Sequence, residues 1–540
     1  MSLRARLFLP VFLSALGVLT GCGGNGGGTT NPVAPPSGSF SNSNFNGTYV
    51  FSVSGVDFNG APFALAGTLT ANGQGQVTSG AIDINNAEFS ATQGDVSTTG
   101  NYSVQVDGRG QATLNATTQY GSAIVLDFVL ENSSHGLVTE ADGNATGSGT
   151  IDLQSSGVTP TGTYAFLVSG GLYSSGDPYA AAGDFTIGNS GAITGTTDVN
   201  DGGLVFFADQ GLSGTLALGP SASPATTLLS SGFSGGGLIF DVFAIDATHL
   251  KFIEMDQTAT LIGDAYAQTS PTMPTGTLAF TIGGCTSCTS NFTPVATGGF
   301  MVTDGSGNIT SASTEDFNVG GSVTSAQGFS GSYTAAGTGR YTLGNFTGFA
   351  GGNNLVAYPS SGGVLILEVD NSGLTAGAAY LQTPGATFAS AQGYGVNMTG
   401  TNLAGLTGSL EEIDDIAEFT VATGGTITGA LDENYQPGGG PAFNLALEQG
   451  QYASPDSNGR GQISSNVGNS NNSTLNGGFD LTFYTVDGTN FPFIETDSTQ
   501  VAVGTFVLQN PTASSSAAIR THMFVAPAIV RPHGSFKKQK

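Results

Sequence analysis

The sequence predicts an all-β protein: four tandem, eight-stranded, antiparallel up-and-down barrels, with immunoglobulin-like sandwiches as the competing arrangement. Three observations lead there. Gly, Ser, Thr, Asn and Ala dominate, Trp is absent and charged residues make up only 9% of the chain, a composition that favours short strands and tight turns over helices. The chain repeats itself at a period of about 115 residues. Within each period, short apolar runs alternate with Asn-, Asp- and Gly-containing turn signals.

Each repeat opens on a strand that begins Gly-Thr-aromatic or a variant of it: Gly47, Thr48, Tyr49 and Phe51; Gly162, Thr163, Tyr164 and Phe166; Gly276, Thr277, Leu278 and Phe280; and the degenerate Tyr394, Gly395, Val396. Asp-x-Asn follows at Asp83/Asn85, Asp198/Asn200, Asp316/Asn318 and Asp432/Asn434. Glu-x-Asp closes each unit at Glu140/Asp142, Glu254/Asp256, Glu368/Asp370 and Glu495/Asp497. Fourteen residues after each Glu stands a Gln (Gln154, Gln268, Gln382, Gln509), with a Gly five before it (Gly149, Gly263, Gly377, Gly504). These landmarks divide the chain into repeats at 46–156, 161–269, 275–384 and 390–511, after a leader at 1–21 and a tether at 22–45, and before a tail at 512–540.

The first unit reads as eight strands, at 49–54, 63–70, 76–84, 98–106, 112–118, 123–130, 136–140 and 147–153. Hairpin signals at Asn72/Gly73, Asp107/Gly108, His135/Gly136 and Asp142/Gly143 join them as a meander. An open meander leaves two unpaired edges, and pairing the first strand with the last removes both. In strand number and length the unit resembles avidin and lipocalin barrels, without their signature residues. A meander places the connections at 56–62, 171–178, 285–294 and 401–416 at one rim. These differ most between units, the usual arrangement of binding loops on a constant scaffold.

The recurrent acids are the candidate chemical groups. Asp83, Glu140 and Asp142; Asp198, Glu254 and Asp256; Asp316, Glu368 and Asp370; and Asp432, Glu495 and Asp497 fall at one barrel end, where oxygen-rich sets could take calcium. The alternative is that the acids start the last turn and satisfy backbone donors. Arg109, Arg340 and Arg460 recur after the fourth strand, Lys251 being the one basic residue of the second unit. At the opposite barrel end from Glu-x-Asp, they read as surface or barrel-floor residues. Cys285 and Cys288 suit a local disulfide in an oxidising compartment. His135 and His249 occupy equivalent turns, and units three and four have no His, which excludes a His-dependent triad common to all units. No phosphate-loop, dinucleotide, zinc-protease or nucleophile-elbow pattern is present.

The N-terminus carries Arg4 and Arg6, an apolar run over 7–19, and Leu19, Thr20, Gly21 and Cys22. The run is too short to span a bilayer. The four residues resemble the bacterial lipobox. That resemblance implies cleavage before Cys22, its lipidation, and, with Gly23 following, the outer membrane. A formal charge of −27 disfavours nucleic-acid binding, which needs a basic face. Five basic residues and no acid fall in 519–540. With its lipobox, Gly-rich tether and units running to Asp-x-Asn and Glu-x-Asp, the chain resembles uncharacterised repeat lipoproteins of bacterial envelopes. This implies an exported, lipid-anchored location and no particular activity. The expected function is therefore non-enzymatic: binding, adhesion or spacer modules at the cell surface, meeting carbohydrate or protein, with no cofactor beyond a possible calcium ion. Small-molecule or lipid binding inside the barrels is the first alternative. A hydrolase using paired carboxylates is the second, and needs them about 5–10 Å apart in an open cleft.

Overall fold

A computed structural model describes residues 32–88, 91–217, 225–289, 292–403, 410–468 and 478–513. Cys22, the leader and the basic residues of the tail lie outside them.

The first barrel contains β1 (Asn46–Asp57), β2 (Pro62–Asn72), β3 (Gln76–Asn86), β4 (Ala91–Val104), β5 (Arg109–Asn115), β6 (Ile124–Leu130), β7 (His135–Glu140) and β8 (Ala145–Leu153). All neighbours pair antiparallel, and β1 pairs with β8 from Tyr49↔Leu153 to Asp57↔Ala145. That last pairing decides for a barrel over a sandwich. Three more closed eight-stranded barrels follow, the second from Gly162, the third from Gly276 and the fourth from Gly393. The invariant Gly sits on the closing seam. A Cβ on Gly149 would stand 1.6 Å from the Ser52 carbonyl oxygen, and one on Gly263 2.0 Å from that of Leu167.

Alternation along β1 sends Tyr49, Phe51 and Val53 inward, against Leu65, Ile84, Phe128 and Val138. Phe45, just before β1, plugs the barrel floor, its ring 4.3 Å from Tyr49 and 5.0 Å from Phe128. Phe388 does the same in barrel 4 against Tyr394 and Phe491. Each interior carries its own cluster of packed apolar side chains. A cleft of about 530 Å³ lies between barrels 2 and 3, beside His249, Tyr266 and Tyr380.

The outward side chains of β1 and β2 are buried too, because the barrels pack on one another. Val50, Ala64 and Ala66 of barrel 1 meet Phe243, Ile253 and Ile262 of barrel 2. Ala165, Leu167 and Ala182 of barrel 2 meet Val356, Leu365 and Ala378 of barrel 3. Ala296 of barrel 3 meets Ile494 and Val503 of barrel 4. Ile416 of barrel 4 meets Val129 and Leu137 of barrel 1. In every case strands one to three of one barrel dock on strands six to eight of the next. The interface is head-to-tail, and because barrel 4 returns to barrel 1 it closes as a four-membered ring. Small outward residues, mostly Ala, let the sheets approach closely.

Candidate functional site

The recurrent polar residues lie in the four joints of this ring. Asp83 and Asn85 point away from their own core, since Ile82 and Ile84 point into it. The Asn therefore reaches the next barrel. Asn85 Nδ2 donates to the carbonyls of Glu254 at 2.6 Å and Ala259 at 2.9 Å. Asn200 donates to Glu368 at 2.8 Å and Gly373 at 3.0 Å. Asn318 reaches Asp497 and Gln500, both at 2.8 Å. Asn434 closes the cycle on Glu140 at 2.9 Å and Ala145 at 2.8 Å of barrel 1. Asp-x-Asn of one unit thus caps the Glu-x-Asp turn of the next, and the structure does not bring a unit's own Asp and Glu onto one face. Asn200→Ala removes both donations and the bond from Gly203 N to Asn200 Oδ1. A loss of about 2–3 kcal/mol is expected in a urea melt.

The conserved-spacing Gln works at the other end of each joint. Gln154 donates to Ala244 at 2.8 Å, Gln268 to Pro359 at 3.0 Å, Gln382 to Thr485 at 2.8 Å, and Gln509 to Asp107 at 2.7 Å.

Each Asp of Asp-x-Asn has two tasks. In its own barrel it accepts a backbone N–H from the fourth strand: Asp95, Asp209, Ala326 and Asn444 donate to Asp83, Asp198, Asp316 and Asp432. All four donors hold a left-handed φ of 52–55°, which a non-Gly residue adopts only when held there. The register of strands three and four shifts at this point in every barrel, so the carboxylate pins a bulge. Across the joint, three of the four carboxylates meet an arginine. Arg340 forms a two-pronged pair with Asp198, Nε–Oδ2 2.8 Å and Nη2–Oδ1 2.7 Å, and Tyr358 donates to the same Asp. Arg460 pairs with Asp316 at 2.7 Å, and Tyr484 adds 2.8 Å. Arg109 reaches Asp432 at 3.4 Å and its own Asp107 at 3.0 Å. The expectation of surface or floor arginines is thereby corrected. The strand count placed them correctly within a unit, but one unit's rim meets its neighbour's strand three, and only the ring shows this.

Barrel 2 supplies no such arginine among the described residues, and Asp83 faces the Asp241 carboxyl instead. Burial first, then the neighbouring Asp241, raises Asp83 above the ordinary carboxyl range. Asp241→Asn removes the repulsion. It is expected to lower the Asp83 pKa, read by carboxyl NMR titration; no movement would place the cause in burial alone.

Barrel 2 spends its cation elsewhere. Lys251 Nζ lies 3.1 Å from Asp264 and 2.6 Å from Thr150 Oγ1 of barrel 1. His249 meets Asp264 at 2.7 Å, and His135 meets Asp152 at 2.8 Å.

The Glu-x-Asp turns are built alike. Asp142 accepts from Asn144 N at 2.7 Å and Asp256 from Thr258 N at 2.8 Å, while Asp256 N donates to Glu254 at 2.7 Å. Asp370 accepts from Ser372 N at 2.8 Å and Asp497 from Thr499 N at 2.6 Å. Burial pushes the Glu carboxyls up: Glu254 to about 10, with Asp256 adding to it, and Glu368 to about 8, while Glu140 and Glu495 also rise well above the usual range. A carboxyl titrates near about pH 4 in the unfolded chain. Folding therefore binds extra protons from about pH 4 up to those values, and stability falls as pH rises through that window. The thermal midpoint at about pH 5 is expected to exceed that at about pH 8; the reverse order would show that other groups dominate.

Cys285, near the end of the first strand of barrel 3 (Gly276–Thr286), is bonded to Cys288 in the connection that follows, S–S 2.08 Å. Among the described residues, no three His, Cys, Asp or Glu side chains converge as a metal-binding group, and no helix is long and apolar enough to cross a membrane. No family model and no curated protein matches the sequence. Ten solved chains align with it, among them these two. One is the isotype 1 transferrin-binding protein B of serogroup B Neisseria meningitidis, at 10% identity over 70% of this chain and 84% of that one, TM-score 0.17. The other is intact Ap-TbpB with its N and C lobes, at 9% identity over 86% and 95%, TM-score 0.17. At that TM-score neither bears on what this chain binds.

Proposed function

We propose that the chain is an exported, lipid-anchored envelope protein whose ring of barrels presents unlike loops to a surface carbohydrate or protein ligand, without catalysis. One observation carries this reading: the residues that repeat are used to hold barrel to barrel, so the groups left to differ are those of the rim. Phe58 is 43% exposed in the first connection of barrel 1. In barrel 2 the same place is taken by the half-buried Tyr173, whose hydroxyl reaches Asn85 of barrel 1, and in barrel 3 the buried Cys285–Cys288 link ties the connection down. Packed apolar interiors favour the rim over the barrel cores as the binding region. Lipid attachment rests on Leu19 to Cys22 in the sequence.

Two measurements test this. Cys22→Ala is expected to move the protein from the membrane fraction to the soluble one. Glycan and envelope-protein arrays, probed with the wild type and with a variant carrying Gly-Ser in place of 58–60 and 174–176, are expected to give signals that the variant loses. Signals unchanged in the variant would sink the rim reading.

A further inference from the structure

Barrel 4 departs from its three sisters at one interior position. The middle residue of Asp-x-Asn faces the core. It is Ile84, Val199 and Phe317 in barrels 1 to 3, paired across the sheet with Leu65, Ala181 and Thr297. In barrel 4 the same pair is Asp415 and Glu433. Both are buried, at 3% and 2% exposure. Both oxygens of Glu433 and Oδ1 of Asp415 lack a hydrogen-bond partner. Like charges directly opposite on paired strands repel, and a buried carboxylate without a partner is costly.

A third buried carboxyl, the recurrent Glu of barrel 4, lies near Asp415. In barrels 1 and 2 the recurrent Glu accepts the backbone N–H of the Asp two residues on, and in barrel 3 it accepts from Ser372 Oγ. In barrel 4, Glu495 keeps the side-chain hydrogen bond to the Asp two residues on, accepts only a long 3.4 Å contact from Asp480 N, has its Oε2 unpartnered, and lies within electrostatic reach of Asp415. Among the described residues no cation pairs with Asp415, Glu433 or Glu495, and Arg109 of barrel 1, which reaches barrel 4, is held by Asp432 and Asp107. The repeat 390–511 has one basic residue, Arg460, and that residue is paired with Asp316 of barrel 3.

We propose that the upper interior of barrel 4 is a cation site of the calcium class, with Asp415 and Glu433 as its core and Glu495 as the third charge. Three side chains do not converge on one point, so the remaining coordination falls to water and backbone oxygens, which calcium accepts readily. Of the twelve acids singled out by the repeat pattern, only Glu495 belongs to it. The repeat logic overlooked Asp415 and Glu433 because they are what does not repeat.

The test is calorimetric titration of the full chain with calcium chloride, beside thermal melts with calcium and with chelator. The wild type is expected to bind one ion and to melt higher with calcium. Glu433→Gln is expected to bind at least tenfold more weakly. The double variant Asp415→Leu, Glu433→Ile restores the pair found in barrel 1. It is expected to fold, to melt at least as high as the metal-free wild type, and to lose the calcium response. Glu254→Gln, in barrel 2, is expected to bind as the wild type does. A wild type without saturable heat at millimolar calcium, or binding retained in the double variant, would overturn the proposal.

Discussion

Arg340→Ala is expected to destabilise the protein by about 3–5 kcal/mol at neutral pH, the range for breaking one side of a buried ion pair. Asp198 is fully buried, and the Arg340 side chain is only 6% exposed. Removing the guanidinium leaves the carboxylate with the Tyr358 hydroxyl and the Asp209 amide. Water cannot replace the lost partner without opening the joint between barrels 2 and 3. The pair also holds a left-handed residue in strand four, so the damage extends from the joint into barrel 2. Arg460→Ala should cost less, because its side chain is 20% exposed and solvent can reach Asp316. Urea melts of the two variants give the comparison. The double variant Arg340→Met, Asp198→Leu should recover part of the loss, since a buried pair is weakly stabilising relative to apolar residues of similar size. Recovery stops short of the wild type because the bulge loses its acceptor. An Arg340→Ala loss under about 1 kcal/mol would mean that the joint is wet and that the arginine contributes little.

These effects explain how far the sequence could be read. The barrel was legible because its rules are local. Alternation in a strand, Gly at the turns and Gly149 at the seam all act within one unit, and the open edges of a meander require closure. The joints were half legible. Recurrence of Asp83, Asn85, Glu140 and Gln154 at fixed spacing said that the fold depends on them, but spacing inside a unit cannot say that Asn85 serves the turn of the next unit. One signal could have revealed the ring. Arg109, Arg340 and Arg460 recur in three units, each against an Asp that recurs in four, and the unit without the Arg carries a lysine elsewhere. The acidic strand Glu411–Val421 was visible in the sequence as Glu411, Glu412, Asp414 and Asp415. Its inward side was not, because a strand buried on both faces has no amphipathic alternation to read.

The joint between barrels 1 and 2 gives the second large effect, and its pH dependence has the opposite sign to that of the Glu turns. Lys251→Met is expected to cost about 3–5 kcal/mol at neutral pH. The ammonium is fully buried between Asp264 of its own barrel at 3.1 Å and Asp152 of barrel 1 at 3.9 Å. Burial alone would raise both carboxyls. For Asp152 the His135 charge and then Lys251 outweigh it, and for Asp264 Lys251 and then His249 do so, leaving both below the ordinary range. A carboxyl depressed by folding stabilises above its unfolded value, near about pH 4, and that contribution is lost as pH falls through the folded value. The wild type therefore loses this joint in acid. In the variant the two carboxylates keep their histidines, and Asp152 also the Thr150 hydroxyl, but the energy that acid would have taken from the lysine pairs is already gone. The gap between wild type and variant is thus expected to be widest at about pH 7 and to narrow at about pH 3. A gap of constant width would assign the loss to packing around the lysine stem. A gap that closes in acid would assign it to charge, making this joint one that acid opens.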